Sequence, residues 1–182
     1  MAKKLLVLCM AAIMAVAALV AGCGGDQKAA SDNKVLKVGT NADFAPFEFQ
    51  DENGKEYQGF DMDLIRAIGE EMGYKVEISN IQFDGLIPAI QAGNIDVAIT
   101  GMTINEERKQ NVLFSDPYYK SGLSIIVAKD NNDIKTFQDL KGKKVAVQIG
   151  TTSAAEVNKI GGVDVKEFNS SADTFMELRA KG

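Results

Sequence analysis

FDGLIPAIQAGNIDVAITGMTINEER, running from Phe83 to Arg108, decides the fold. Asp84 stands where a helix extending to about Ala92 would take its cap, and Pro88 falls close to that helix's first turn. IDVAIT, Ile95 to Thr100, follows directly and is apolar enough to be buried on both faces, as strands inside a parallel sheet are. A helix leading into such a strand is half of a βαβ unit. The polar residues after it, TGMTINEER, lie at the strand's carboxyl end, where open α/β sheets hold their ligands.

The alternation continues in both directions. VLKVGT, Val35 to Thr40, is a strand candidate; Asp61 to Met72 places Leu64, Ile65, Ile68 and Met72 on one helical face, with Asp61 or Asp63 as a cap at the start and Gly73 closing the end; KVEIS, Lys75 to Ser79, alternates as a strand does. After SDPYYKSG, Ser115 to Gly122, a second set begins: strand LSIIVA (Leu123 to Ala128), a short helical turn (Phe137 to Leu140), strand KVAVQIG (Lys144 to Gly150), a helix from Ser153 to Ile160, strand VDVKEF (Val163 to Phe168) and a helix from Ser171 to Ala180. This order predicts an α/β protein of two lobes with mostly parallel sheets. The expected boundaries are a first lobe over 34–117, a hinge crossover at 118–122 and a second, incomplete lobe over 123–182. The chain closes on a helical pattern, SADTFMELRAKG, where a parallel unit would run on into a strand, so the sequence is expected to continue past Gly182.

The first residues have a different character. Lys3 and Lys4 precede an apolar run from Leu5 to Val20, followed by Ala21, Gly22 and Cys23, which has the layout of a cleavable leader over 1–22. Val20-Ala21-Gly22-Cys23 resembles a bacterial lipobox, which implies lipidation of Cys23 and a protein lipid-anchored to a membrane of the cell envelope. Residues 23–33, small and polar, are expected to be a flexible tether. Without Lys3 and Lys4 the balance is 18 basic against 25 acidic residues, a formal charge of −7, which suits neither nucleic acid nor an anionic lipid surface.

The chain has no histidine, and its two cysteines are Cys9 and Cys23. A Ser-His-Asp triad, a histidine metal site and a cysteine nucleophile are therefore not expected, and no cofactor is called for. Asp61-x-Asp63 begins like a calcium loop but lacks the glycine and terminal glutamate at the required spacing, so Asp61 is better explained as a helix cap.

Three strand ends carry unusual residues: GTNADFAPF after Val38, TGMTINEER after Ile99 and QIGTTS after Val147. QIGTTS is a strand, a glycine turn and a helix start, which either binds an anion on free N–H groups or is simply capped by Thr152 or Ser153. Arg108 offers a planar fork to a carboxylate, or else pairs with Glu106 or Glu107 at the surface. Phe47, Phe49 and Phe114 are assigned to the core, whereas Phe44 and Phe83, beside turns, suit the apolar wall of a small-molecule pocket.

Taken in order, GTNADFAPFEF, GFDMDLIRAIGEEMG, FDGLIPAIQAGNIDVAITGMTINEERK, FSDPYYKSGLSIIV and VAVQIGTTS resemble the solute-binding proteins of bacterial polar amino-acid ABC importers, extracellular solute-binding family 3, and among them the glutamine-binding members. The resemblance covers about Lys34 to Gly182. It implies the two-lobed periplasmic-binding-protein-like fold (type II), closing on its ligand, and a monomer that delivers a polar amino acid to a cognate ABC permease. Carried over by position, Phe44 and Phe83 would sandwich the ligand's aliphatic part; Arg108, Thr103 and the helix start at Thr151 and Thr152 would hold its carboxylate; the carbonyl of Gly101 and the hydroxyl of Thr103 would meet its ammonium; Asn41, Thr100 and Gln148 would face its side chain. The glutamine-binding members have an acidic residue where Asn41 stands and a lysine where Gln148 stands. With two amides instead, glutamine or a basic amino acid such as arginine is the expected ligand. The class alternatives are an envelope enzyme on the same scaffold, for instance a dehydratase of small carboxylic acids, and the input domain of a membrane sensor.

Overall fold

The computed structural model of the chain describes residues 34–181. Cys23, the leader and the tether lie outside these residues. The first sheet is parallel, with β5 (Lys75–Asn80) and β6 (Val97–Ala98) on either side of β1 (Val35–Thr40). Helix α1 (Phe60–Met72) packs on this sheet and buries Met62 and Ile65 against Val38 and Ile99, with Leu36, Leu64, Val76, Ile78 and Val97 packed around them. That is the face set out by the apolar spacing of the sequence. Gly73 ends the helix in the left-handed region, at φ 72°, with its N–H on the carbonyl of Glu70. Gly69 allows helix and sheet to meet: a Cβ there would stand 2.2 Å from Cγ2 of Val76.

The short 3₁₀ turn Phe83–Gly85 leads into α2 (Leu86–Gln91), so the helix starts one residue after Asp84's neighbour Gly85, and neither piece is capped by a side chain. Asp84 is thus not the cap expected of it. Of IDVAIT only Val97 and Ala98 pair as a strand, yet Ile95, Ile99 and Thr100 are buried, as the all-apolar pattern demands. Between β1 and α1 the chain makes a small antiparallel sheet, β2 (Asp43–Phe44), β3 (Glu48–Gln50) and β4 (Tyr57–Gln58), that lies against the first turns of α1.

The second sheet pairs β7 (Lys144–Gln148) with β8 (Asp164–Phe168) in parallel. Helix α4 (Thr152–Ile160) follows β7, and α5 (Ser171–Arg179) follows β8. Leu140, Val147, Ala154 and Val157 form its core. The remaining helix, α3 (Glu106–Lys109), is a single turn after β6. LSIIVA differs from expectation. Residues 123–128 join no sheet among the described residues, because no strand lies beside them to satisfy their backbone; Ile125 still packs on the second core. The architecture is two parallel α/β layers joined by an extended connection, a two-lobed type II arrangement.

Candidate functional site

The carboxyl ends of β1, β6 and β7 converge. Asn41, one residue past β1, is 8% exposed, and its side-chain oxygen accepts a 2.7 Å hydrogen bond from Nε2 of Gln148 at the end of β7. Gln148 also donates to the carbonyl of Asn169, so one amide joins the two sheets. Behind Asn41 stands Thr100, whose hydroxyl accepts from the Asn41 N–H at 3.0 Å and donates to Oε1 of Glu48 at 3.0 Å. Gly101 follows with φ 54°; a Cβ there would sit 3.7 Å from the Phe44 ring and 3.8 Å from Oε1 of Glu48, so backbone, aromatic wall and carboxyl meet at one point.

Arg108 anchors the other end. Asn105, extended at φ −142°, caps α3 by accepting the Arg108 N–H at 2.8 Å, and this fixes where the side chain leaves the backbone. The guanidinium donates to the carbonyl of Thr103 at 2.7 Å and to the carbonyl of Gly150 at 2.9 Å, one contact on each sheet's side. Its Cζ lies 5.3 Å from the centre of the Phe83 ring, in cation–π range. Arg108 is 8% exposed, and burial lowers its pKa from the ordinary value, though a guanidinium stays charged at any physiological pH. Glu106 pairs with Lys109 instead, and no ion pair among the described residues involves Arg108. The surface pairing weighed for Arg108 is therefore not what the chain makes.

Thr151, rather than Thr152 or Ser153, is the N-cap of α4: its hydroxyl accepts from the Ala154 N–H at 3.2 Å and donates to the carbonyl of Gln148 at 2.8 Å. The N–H groups of Thr152 and Ser153, in the first turn, have no intrahelical acceptor by helix geometry and carry the positive end of the dipole. A cleft of about 370 Å³ brings Phe83, Arg108, Gly150, Thr151 and Thr152 together. Thr103 contributes its carbonyl, and its residue is exposed. Phe44, 47% exposed, stacks on Phe47 at 5.8 Å. A larger cavity of about 780 Å³, lined by Phe49, Tyr57, Arg66 and Val76 among others, contains none of the predicted site residues.

Phe47, Phe49 and Phe114 are half-buried and belong to neither core, contrary to expectation. Phe47 meets Phe60 and Tyr119 edge to face. The buried residue of PFEF is Glu48, 1% exposed. Asp61 is also no cap. It is fully buried at the start of α1, where its Oδ2 accepts from the N–H of Gly101 and from the hydroxyl of Tyr118, both at 2.9 Å.

One further contact across the cleft carried no sequence signal. The Ser171 N–H, at the start of α5, donates to Oδ2 of Asp43 at 2.9 Å, and the Ser171 hydroxyl donates to the Asp43 carbonyl at 2.8 Å. Burial, its largest influence, raises the pKa of Asp43 despite the hydrogen bonds from Ser171 that lower it.

Comparison with known proteins identifies the architecture. The family model for bacterial extracellular solute-binding proteins, family 3, matches residues 36–179. The arginine-binding extracellular protein ArtP of Bacillus subtilis (strain 168) is 34% identical over 98% of this chain and 69% of its own. Among solved structures, an ancestral arginine-binding protein bound to arginine superposes with a TM-score of 0.79 at 53% identity, over 81% of this chain and 66% of that one. An ancestral arginine-binding protein bound to glutamine gives 0.78 at 53% identity, over 81% and 65%. The chain thus spans about two thirds of the length of these relatives.

Proposed function

Because the chain belongs to family 3 of the bacterial extracellular solute-binding proteins, we propose that it captures a polar amino acid, arginine or glutamine, between its two sheets and hands it to an ABC permease. One observation carries this reading: Arg108 is a buried cation without a carboxylate partner among the described residues, laid against Phe83 and opposite the free first turn of α4. A buried charge is costly unless matched, and an amino acid's α-carboxylate is the matching group. Thr151 and Thr152 add helix-terminal donors to the same carboxylate, and Thr103 stands beside it. The carbonyl of Gly101 and the hydroxyl of Thr103 receive the ammonium, Phe44 and Phe83 cover the aliphatic part, and Asn41, Thr100 and Gln148 meet the side chain.

The two amides select by hydrogen bonding rather than by charge. Each presents both donor and acceptor, which suits a guanidinium or a carboxamide and leaves a purely aliphatic side chain with nothing to replace the Asn41–Gln148 contact. The relatives named for arginine, and the one bound to glutamine, support the same pair of ligands. The protein acts as a carrier rather than an enzyme, as a monomer, lipidated at Cys23 and held at the cell envelope.

Calorimetry of the twenty amino acids against ligand-stripped protein tests the reading. Tight binding of arginine, glutamine or both, lost in Arg108→Ala, is expected; heat from none of the panel would refute it. Incorporation of labelled palmitate that disappears in Cys23→Ser tests the anchor.

A further inference from the structure

Two carboxyl side chains behind the cleft are left unused by the binding reading. Glu48 is 1% exposed and Asp61 is not exposed at all, and each has one oxygen, Oε2 of Glu48 and Oδ1 of Asp61, buried without a partner. Orphaned buried oxygens are rare enough to need a cause. The two orphans belong to carboxyls that meet at Gly101, whose N–H donates to Oδ2 of Asp61 and where a Cβ would stand 3.8 Å from Oε1 of Glu48.

The other two oxygens are committed. Oε1 of Glu48 accepts from the Thr100 hydroxyl, and Oδ2 of Asp61 accepts from both the Gly101 N–H and the Tyr118 hydroxyl. With both groups ionised, two adjacent anions would face one another in a site that supplies only neutral donors. From β2, Asp43 adds repulsion; the end of β6 brings Thr100 and Gly101; the connection between the sheets brings Tyr118; among the described residues no lysine or arginine forms an ion pair with either carboxyl. A single proton answers both orphans, since on Oε2 of Glu48 it turns that oxygen into a donor and offers Oδ1 of Asp61 a bond to accept. Burial pushes the Glu48 carboxyl up to about 9, with the charge of Asp61 the next cause, and both burial and Asp61 raise the Tyr118 phenol so that it remains a donor.

We infer that Glu48 and Asp61 share one proton, and that the pair is a positioning relay linking the cleft-facing turn Thr100–Gly101 to Tyr118 in the connection between the two sheets. One run of hydrogen bonds goes from the Asn41 N–H through the Thr100 hydroxyl to Glu48, another joins Asp61 to the Tyr118 hydroxyl, and the shared proton connects the two. Asn41 is also the residue that meets Gln148 across the cleft, so side-chain recognition and the geometry of the connection rest on one chain of hydrogen bonds. Loss of the shared proton at alkaline pH creates two neighbouring anions, which push apart and release the turn from Tyr118. The consequence for affinity rests on the amino-acid cleft proposed above; the proton itself does not.

The test uses the full chain and two variants. Glu48→Gln keeps the shape, accepting from Thr100 and donating to Asp61, but cannot titrate. Tyr118→Phe removes one of the two donors to Oδ2. Carbon-13 shifts of the Glu48 carboxyl and the Gly101 carbonyl are followed without ligand from pH 6 to 10.5. The wild type is expected to show one step in both signals near pH 9; Glu48→Gln should show no step at Gly101; Tyr118→Phe should move the Glu48 and Gly101 step upward by about one pH unit, since a donor to the anionic form has gone. A Gly101 profile identical in wild type and Glu48→Gln overturns the shared proton, and an unmoved step in Tyr118→Phe overturns the link to the connection. In parallel, calorimetry with L-arginine should show wild-type affinity falling between pH 8 and 10 more steeply than that of Glu48→Gln, which controls for loss of the ligand's own ammonium proton. If no amino acid binds, the proposed function falls while the ligand-free titration still decides the relay.

Discussion

Asp43→Ala should weaken binding where Asp43→Asn does not, and the structure gives the reason. Asp43 reaches across the cleft to α5 through its Oδ2, which accepts the Ser171 N–H at 2.9 Å, while its backbone carbonyl takes the Ser171 hydroxyl at 2.8 Å. Alanine leaves the second contact intact and deletes the first, so a helix-terminal N–H loses its acceptor. A net hydrogen bond is worth about 1 kcal/mol, which is roughly fivefold in affinity if the bond forms only in the closed state. Asparagine keeps an acceptor in place and discards the charge. Burial raises the Asp43 pKa and Asp173 reinforces it, so ionisation is less favourable in the folded protein than in the unfolded chain. The stability this group contributes is present below its unfolded pKa and is lost as pH rises through the raised folded value. A neutral amide should therefore bind arginine as tightly as the wild type at pH 7, or more tightly, while the alanine variant binds about fivefold more weakly. Calorimetry on the three proteins, with thermal melts to confirm folding, measures this. Equal weakening in both variants, or none in Asp43→Ala, would refute the argument.

Arg108→Lys should bind at least about tenfold more weakly than wild type by calorimetry, because an ammonium cannot span the carbonyls of Thr103 and Gly150 and still present a fork to a carboxylate. Glu48 sets a pH trend: its carboxyl rises from an ordinary 4.5 to about 9, so stability should be greatest near pH 4.5 and decline toward pH 9, by at most about 1.4 kcal/mol per unit, in chemical denaturation followed against pH. Glu48→Gln should flatten that decline. Gly69→Ala forces a methyl to within 2.2 Å of Val76 and should cost about 1–3 kcal/mol, read as a lowered Tm with binding per folded molecule unchanged.

The parallel sheet was legible because its signals are local: α1's apolar face, Gly73 at its end and the buried run around Ile99 each follow from a few neighbouring residues. The convergence of Asn41, Thr100, Gly101 and Gln148 followed from their places at strand ends. What escaped was long-range. In PFEF the phenylalanines outweigh the glutamate by any composition rule, yet Glu48 at the start of β3 turns inward, where its carboxyl accepts from Thr100, while the Phe47 ring meets Tyr119 edge to face. Asp61 looked like a cap because it stands at a helix start; its partners, Gly101 and Tyr118, are 40 and 57 residues away. Ser171 and Asp43 are separated by 128 residues and have no pattern in common. LSIIVA has the composition of a strand, but composition supplies no neighbouring strand.

The contacts that span the cleft have one trait in common. Gln148 meets Asn41, Arg108 meets the carbonyl of Gly150, and Ser171 meets Asp43; none of these is an ion pair. Dissolved ions weaken attraction between opposite charges over a distance that shrinks from about 30 Å at 0.01 M to about 3 Å at 1 M, but they have little purchase on short bonds to amides and carbonyls. Fastened by short hydrogen bonds rather than ion pairs, this cleft should keep its grip as the salt concentration changes.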